Sequence, residues 1–163
     1  MTIDIRRNRL VGSGVYADVF AVANRAYKLF KSGPEIPPRQ TKEGRRRIFN
    51  WQCEAFRIAA GDPWLGRHIA QFHGVCLISD VIDSTGVSVR SSYLLDCCYV
   101  MELFGPGEND SKVTAEWVEG HDHIVKARRQ FNELGISTHD SSVFEHGDPE
   151  WFKFIDIEMR DCY

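Results

Sequence analysis

The chain has 163 residues, 43% of them hydrophobic and 12% aromatic, which is enough to bury one sizeable core in a single domain or two small lobes. With 20 Lys and Arg residues against 23 Asp and Glu residues, the formal net charge of −3 gives no reason to expect nucleic acid or a membrane as a partner. No apolar run is as long as a transmembrane helix, and residues 1–6 lack the apolar core of a signal peptide, so we expect a cytoplasmic protein.

The five cysteines are predicted to be reduced thiols. Their number is odd, and no two of them stand at the Cys-x-x-Cys spacing that is typical of zinc sites. This pattern disfavours both a disulfide framework and a structural zinc site.

Three strands joined by two tight turns are predicted over residues 9–31. Apolar residues alternate with polar ones on both sides of Gly12-Ser13-Gly14, and a further alternating run follows Asn24-Arg25. A turn without Cβ atoms can lie flat over a phosphate chain, and Lys28 on the third strand would bring a positive charge to the same anion. The stretch therefore predicts a nucleotide site.

A long amphipathic helix is predicted over residues 41–60, ended by Gly61-Asp62-Pro63. Glu54 lies among apolar residues in the middle of this helix, where an unpaired carboxylate would be costly, so it should have a cationic partner. Lys28 is the natural candidate. The alternative is that Glu54 is a half-exposed surface residue.

The beginning of this helix carries a basic run, Arg45-Arg46-Arg47. Because the first turn of a helix favours acidic side chains, such a run is locally unfavourable there. The arginines either contact an acidic partner or a phosphate, or they form an ordinary solvated face.

Two more strands, residues 75–81 and 87–101, are predicted as a hairpin around the turn at 83–86. A second helix is predicted over residues 114–134, where Gly135 would stop it. The runs at 143–146 and 152–157 then predict a small hairpin.

In chain order, these segments resemble the motifs of the protein-kinase superfamily. Gly12-x-Gly14-x-x-Ala17-x-Val19 followed by Ala26-Tyr27-Lys28 resembles the glycine-rich loop and its strand lysine, with Ala17 in place of the third glycine. Residues 68–75 resemble the segment after the kinase helix, and residues 99–108 resemble the hinge. Residues 138–140 and 155–157 resemble the catalytic loop and the metal-binding Asp-Phe-Gly.

The resemblance implies an α+β, protein-kinase-like fold. A first lobe, residues 1–104, would hold a five-stranded antiparallel sheet and one main helix. A much reduced second lobe, residues 105–163, would hold the hinge, the catalytic-loop helix and the small hairpin. The two lobes would together form one domain.

The resemblance also implies a site for ATP. Lys28, held by Glu54, would position the phosphates. Met101 would take the gatekeeper position, and the backbones of Glu102 and Phe104 would hydrogen-bond adenine. The residues expected to contact the nucleotide are Gly12, Gly14, Val19, Ala26, Lys28, Met101, Glu102, Phe104 and Glu108, the last of these through the ribose.

At the catalytic end, the resemblance makes Asp140 the base or orienting carboxylate for the acceptor hydroxyl and Asp156 a ligand of magnesium. The chain departs from the family pattern here, because Thr138 and His139 replace the residues that usually precede the catalytic aspartate. Glu145 stands where the family has a magnesium-binding asparagine, and its carboxylate can still bind a hard cation.

Two functions are compatible with this pattern. The first is a minimal kinase-like enzyme that binds ATP and magnesium and transfers phosphate to a hydroxyl acceptor. The second is a catalytically impaired pseudokinase that acts as a protein-interaction module, for instance through the Arg45-Arg46-Arg47 face. We expect a protein partner or substrate in either case.

Overall fold

The structure is a computed structural model that describes residues 1–33, 41–104, 111–112, 121–139, 141–145 and 151–160, with residues 111, 112 and 145 described by their backbone. Over these ranges the protein is α+β, with two α-helices and a five-stranded antiparallel sheet. In the same part of the chain, no helix is long and apolar enough to cross a membrane.

The helices and strands are, in chain order, β1 Thr2–Asp4, β2 Arg9–Ser13, β3 Ala17–Val22, β4 Arg25–Lys31, α1 Lys42–Gly61, β5 Phe72–Cys76, β6 Asp80–Ile82, β7 Tyr93–Glu102, β8 Ser111–Lys112, α2 Asp122–Glu133, β9 Ile136–Ser137, β10 Ser142–Glu145, β11 Phe152–Ile155 and β12 Glu158–Met159.

The main sheet has the strand order β2-β3-β4-β7-β5, and every neighbouring pair in it is antiparallel. Strands β2, β3 and β4 confirm the three strands predicted over residues 9–31. The first turn lies at residues 14–16 and not at Gly12-Ser13-Gly14, because Gly12 and Ser13 belong to β2 and pair with Val19 and Asp18. The turn between β3 and β4 is the two-residue loop Ala23-Asn24, in which Ala23 has a left-handed φ of 51°. Alternation of apolar and polar residues was thus sufficient to locate this half of the sheet.

One face of the main sheet is covered by the beginning of the chain. Strand β1 pairs in parallel with β6 outside the sheet, with Ile3 opposite Val81. Both side chains are fully buried against Phe20, Leu29 and Cys98, in a cluster that also contains Ile78. The buried central residues of these two short strands therefore close this side of the sheet.

The predicted hairpin around residues 83–86 is confirmed only as a short antiparallel bridge between Ile82 and Ser88, and the two long sheet strands expected on either side of the turn are wrong. Asp83 instead closes a local turn, in which its carboxylate accepts hydrogen bonds from the backbone N–H groups of Thr85 and Val87. Strand β6, just before the turn, pairs with β1, and β7 begins only at Tyr93. An aspartate side chain that bonds the backbone two residues ahead offers an alternative to the strand ladder.

Helix α1 confirms the predicted first helix, with bounds Lys42–Gly61 against the expected 41–60. Thr41 caps its beginning, because its Oγ1 accepts a hydrogen bond of 2.9 Å from the backbone N–H of Gly44. On the second face of the sheet, the Phe49 ring lies 5.6 Å from that of Phe30 and 6.3 Å from that of Tyr99.

The chain divides into two compact units, residues 1–50 with 72–103 and residues 51–71 with 104–163. The division falls within α1, between Gln71 and Phe72, and between Leu103 and Phe104. The lobes expected from the sequence were residues 1–104 and 105–163, so the second unit takes in residues 51–71 as well.

The second unit is built around aromatic side chains. Phe154 is fully buried, its ring lies 5.1 Å from that of Phe131 on α2, and its backbone N–H donates to the carbonyl of His68 at 2.8 Å. Strands β10 and β11 confirm the small predicted hairpin. Helix α2 confirms part of the second predicted helix and stops at Gly135, whose φ is +72°, while residues 113–120 lie outside the described ranges.

Candidate functional site

Most of the residues predicted to contact a nucleotide lie on one face of the main sheet. The register pairs Gly12 with Val19, Val19 with Lys28, and Ala26 with Met101. Directly paired residues and residues two apart on one strand point to the same side of a sheet, so these five share the face that α1 also covers. The structure therefore brings together residues that are up to 89 positions apart in the sequence.

Lys28 is buried on this face, with 8% of its surface exposed. Its Nζ lies 5.8 Å from the centroid of the Tyr99 ring, within the range of a cation–π interaction. Tyr99 is directly opposite Lys28 in the register and is itself fully buried. An ammonium group held on an aromatic ring in this way has a restricted position and a low-dielectric surrounding, both of which strengthen its attraction for an anion.

The backbone conformation at positions 12 and 14 does not require glycine. Neither has a left-handed φ, and a Cβ on Gly12 would come no closer than 3.7 Å to Val19. A Cβ on Gly14 would come no closer than 3.6 Å to the carbonyl oxygen of Ala17. Both are ordinary contacts, so the fold would accept a side chain where the sequence has none. Close approach of a ligand to the backbone is another established reason for glycine.

A buried charge network holds the turn after β2, residues 14–16. The sequence did not predict this network. Asp18 is 6% exposed, and its carboxylate lies 2.9 Å from Lys31 Nζ. Ser13 Oγ and Tyr93 Oη donate to the same carboxylate at 2.6 and 2.8 Å. Lys31 Nζ also donates to the carbonyl of Gly14 at 2.8 Å, which ties the turn to β4.

Tyr93 is kept in its neutral form by this arrangement. Burial raises the pKa of the Tyr93 hydroxyl well above its usual range, and the hydrogen bond to the Asp18 carboxylate adds to the effect. The signal available in the sequence was an aspartate inside the otherwise apolar strand β3. Its partners could not be identified, because Tyr93 is 75 residues away.

The predicted hinge begins where β7 ends. Met101 is 3% exposed, and Glu102, opposite Arg25, is the last residue of the strand. Phe104 belongs to the second unit, where its ring stacks on that of Phe144 at 5.4 Å. Residues 105–110, and with them Glu108, lie outside the described residues.

Glu54 is a half-exposed residue of α1, with 54% of its side chain accessible. Its Oε2 lies 3.7 Å from Arg57 Nη1, one turn further along the helix. The inference that Glu54 is buried and therefore needs a cationic partner is wrong, because the helical spacing of the buried residues leaves position 54 on the exposed side of α1. The role of Glu54 as the partner of Lys28 stays a prediction.

In the second unit, Asp156 has an unusual backbone conformation. Its φ is +60°, in the left-handed region that aspartate tolerates better than most residues. Strands β9 and β12, which pair through Ser137 and Glu158, place the segments 138–139 and 156–157 at the same end of a two-stranded ladder. Ser141 Oγ donates to the carbonyl of Asp156 at 3.3 Å.

The rest of the predicted catalytic set is only partly visible. Residue 140 lies outside the described residues, and Glu145 is described by its backbone in β10. Among the side chains that the structure does describe, no group of three or more His, Cys, Asp or Glu residues is placed to hold a metal ion. The roles of Asp140, Asp156 and Glu145 stay predictions.

The basic run at the beginning of α1 does not form an exposed face as a whole. Arg45 is fully buried, and its Nη1 donates to the carbonyl of Lys31 at 3.2 Å. Arg46 forms an ion pair with Asp96, which holds the pKa of that carboxyl below its usual range through a side-chain hydrogen bond. The prediction of an Arg45-Arg46-Arg47 docking surface is thus wrong for Arg45, because amphipathic spacing places it on the inner side of the helix.

His68 joins the segment after α1 to β11. Its ring stacks on that of Phe152 at 4.1 Å, and Trp64 packs edge-on against it at 4.5 Å. Burial lowers the pKa of His68. A backbone hydrogen bond to Phe152 raises it, and electrostatic repulsion from Lys153 and Arg67 lowers it further. The imidazole is therefore stabilised in its neutral form.

We expect the protein to lose stability in mild acid through His68. The unfolded state, with a histidine pKa of about 6.5, binds a proton more readily than the folded state does. Stability should therefore fall as the pH drops below the unfolded value, until the lower folded pKa is passed. His68→Phe should flatten this part of the profile of urea unfolding against pH. The exposed His73→Gln is the control and should keep it, whereas an unchanged profile in His68→Phe would contradict the assignment.

Comparison of the chain with protein-family models, with curated proteins and with solved structures found no match.

Proposed function

We propose that this protein binds ATP with magnesium on the Lys28 face of its main sheet and transfers phosphate to a hydroxyl acceptor. The observation that carries the proposal is the shared face of Gly12, Val19, Lys28, Ala26 and Met101. These are the positions at which the sequence resembles the glycine-rich loop, the strand lysine and the gatekeeper of kinases.

The surroundings of Lys28 support the proposed contact of its ammonium group with the phosphates of ATP. A buried ammonium that lies over Tyr99 is held in place before a ligand arrives, so little side-chain entropy remains to be lost on binding. The turn after β2, which begins at Gly14, is held by the ion pair of Asp18 with Lys31 and by the hydrogen bond from Lys31 to the Gly14 carbonyl. A fixed turn that begins with a glycine lets a phosphate chain come close to the backbone.

The apolar part of the same face supports the base end. Ala26 and Met101 are directly paired and are 2% and 3% exposed. Small and flexible apolar side chains such as these are the kind that line sites for flat heterocycles. The polar end of an adenine would then be read by the backbone beyond Met101, the predicted role of Glu102.

Asp156 supports a role in metal binding. A non-glycine residue with a positive φ costs free energy and tends to be kept where function depends on it. The predicted donors, Asp156 and Glu145, offer carboxylate oxygens, which suit a hard cation such as magnesium. Magnesium, when bound, would neutralise phosphate charge, while Asp140 would orient the acceptor hydroxyl or take its proton.

A second candidate is nucleotide binding without phosphate transfer, in a protein-interaction module. The sequence around the catalytic aspartate favours it, because Thr138, His139 and Glu145 all differ from the residues of active kinases. The burial of Arg45 removes one of the surfaces on which such a module was expected to bind a partner.

The test of nucleotide binding is the substitution Lys28→Met. If Lys28 contacts the phosphates, the rise in melting temperature that ATP produces should largely disappear, because stabilisation by a ligand follows its occupancy of the folded state. We expect an affinity loss of about tenfold or more for a lost contact between two charged groups. Thermal unfolding and calorimetric titration with ATP would measure the two effects.

Two further variants make this experiment specific. Lys42→Met removes an exposed lysine from the beginning of α1 and should leave ATP binding unchanged. Gly14→Ala should fold at least as stably as the parent, since its Cβ has room, and should still bind ATP more weakly. Equal ATP affinity in the parent, Lys28→Met and Gly14→Ala would reject this face as the nucleotide site.

A further inference from the structure

We propose that Cys76 and Cys98 form an oxidative cross-link site, in which a disulfide oxidant such as oxidised glutathione joins the edge strand β5 to its neighbour β7. The inference rests on the register of these two strands and does not depend on the proposed function.

Cys76 and Cys98 are directly opposite each other in the antiparallel ladder. In such ladders, paired residues have Cα atoms about 4.5–5.5 Å apart. Disulfides span about 4.4–6.8 Å between Cα atoms. The backbone therefore already has the spacing that a disulfide needs, without movement of either strand along the other.

The two side chains also lie on the same face of the sheet. Cys98 belongs to the buried cluster with Ile3 and Phe20, and Cys76 packs against this cluster from the edge. Both residues are thiols in the structure, not members of a disulfide. A new bond between them would therefore replace a contact within one apolar cluster.

Cys97 provides the contrast on the neighbouring position of β7. Side chains alternate along a strand, so Cys97 points to the opposite face, where Arg46 Nη1 lies 3.4 Å from its Sγ. Burial, helped by the nearby Asp96 carboxylate, raises the pKa of Cys97 to about 11, so little of the thiolate is present near neutral pH. We therefore expect oxidised glutathione to react with Cys76 rather than with Cys97.

The chemistry is two successive thiol–disulfide exchanges. The thiolate of Cys76, which is partly exposed, attacks one sulfur of oxidised glutathione, forms a mixed disulfide and releases one glutathione thiolate. The thiolate of Cys98 then attacks the Cys76 sulfur, forms the Cys76–Cys98 disulfide and releases the second glutathione. Two protein thiols are oxidised, one glutathione disulfide is reduced to two thiols, and the two protein protons pass to the released thiolates.

The consequence would be a covalent tie at the edge of the sheet. Strand β5 is the last strand of the order β2-β3-β4-β7-β5, so among the described strands it has a ladder partner on one side, β7. A cross-link at Cys76 would keep this strand in place even when the ladder opens.

The experiment is incubation of the folded protein with oxidised glutathione at neutral pH, alkylation of the remaining thiols in denaturant so that buried thiols are also labelled, and peptide mapping by mass spectrometry without reduction. We expect a peptide pair joined through Cys76 and Cys98 and alkylated Cys53 and Cys97. In Cys98→Ala, Cys76 should instead accumulate as its glutathione adduct. Cys97→Ala, the matched control on the opposite face, should cross-link like the parent.

Two results would overturn the proposal. One is a peptide map of the parent protein in which Cys76 is found alkylated, and therefore unreacted, or only as a glutathione adduct, while circular dichroism shows that the fold is intact. The other is a cross-link that joins Cys76 or Cys98 to a different cysteine. Both are read on the parent chain, so they do not depend on whether a variant folds.

Discussion

Replacing Asp18 by asparagine is expected to lower the free energy of unfolding by about 2–3 kcal/mol. The carboxylate is buried and interacts with Lys31, Ser13 and Tyr93. An asparagine keeps the shape and can still accept hydrogen bonds, but it leaves the Lys31 ammonium without its counter-charge. The loss stays below that of a fully buried pair because a quarter of the Lys31 side chain reaches solvent.

Urea unfolding would measure this effect, and the same substitution in an exposed ion pair provides the comparison. Asp96→Asn also removes a carboxylate from an ion pair, with Arg46, but both side chains are about half exposed. Its cost should stay within about 1 kcal/mol. A double variant with Lys31→Met should recover part of the loss in Asp18→Asn, since the uncompensated charge is then gone. Equal costs at positions 18 and 96 would contradict a structural role for the buried network.

Replacing Asp156 by asparagine is expected to remove the magnesium dependence of ATP binding. Asparagine tolerates the left-handed conformation that this position requires, so the backbone should keep its shape while the negative charge is lost. If Asp156 binds the metal, affinity for ATP in the presence of magnesium should fall by about tenfold or more. Affinity without magnesium should be unchanged or slightly higher, because the variant carries one negative charge fewer than the parent.

Calorimetric titration of ATP with and without magnesium would test this, with the exposed Asp122→Asn as the control for loss of one charge. Asp140→Ala separates metal binding from phosphate transfer: it should bind magnesium-ATP like the parent and lose any transfer of labelled phosphate. Should Asp156→Asn bind magnesium-ATP as tightly as the parent, the metal role is wrong, and the interaction module becomes the better proposal.

The parts of the fold that could be predicted from the sequence are those decided by local periodicity. The alternation over residues 9–31 and the helical spacing over residues 41–60 depend on side chains a few positions apart, and the structure confirms both. The pairing of β6 with β1 could not be predicted, because the paired residues are 78 positions apart in the sequence. No local pattern carries information about such a pairing.

The candidate site divides in the same way. Residue types at set spacings predicted Gly12, Val19, Lys28 and Met101, and the register then placed them on one face. What the sequence could not supply is the side of an element that becomes buried. Arg45 is inside and Glu54 outside: helical spacing puts the two residues on different sides of α1, but which side is buried is decided by the packing of Phe49 on Phe30.

The pairing of β1 with β6 has a consequence for the order in which the chain folds. The β3–β4 hairpin closes with a two-residue turn, whereas the first residue of the chain bonds Leu77, 76 positions away. Closing a long loop costs more chain entropy than closing a short one, so contacts of this kind form late unless strong local structure precedes them. Strand β1 is therefore expected to dock after the barrier to folding has been crossed. Substitutions at Ile3 would then speed unfolding and leave the rate of folding almost untouched.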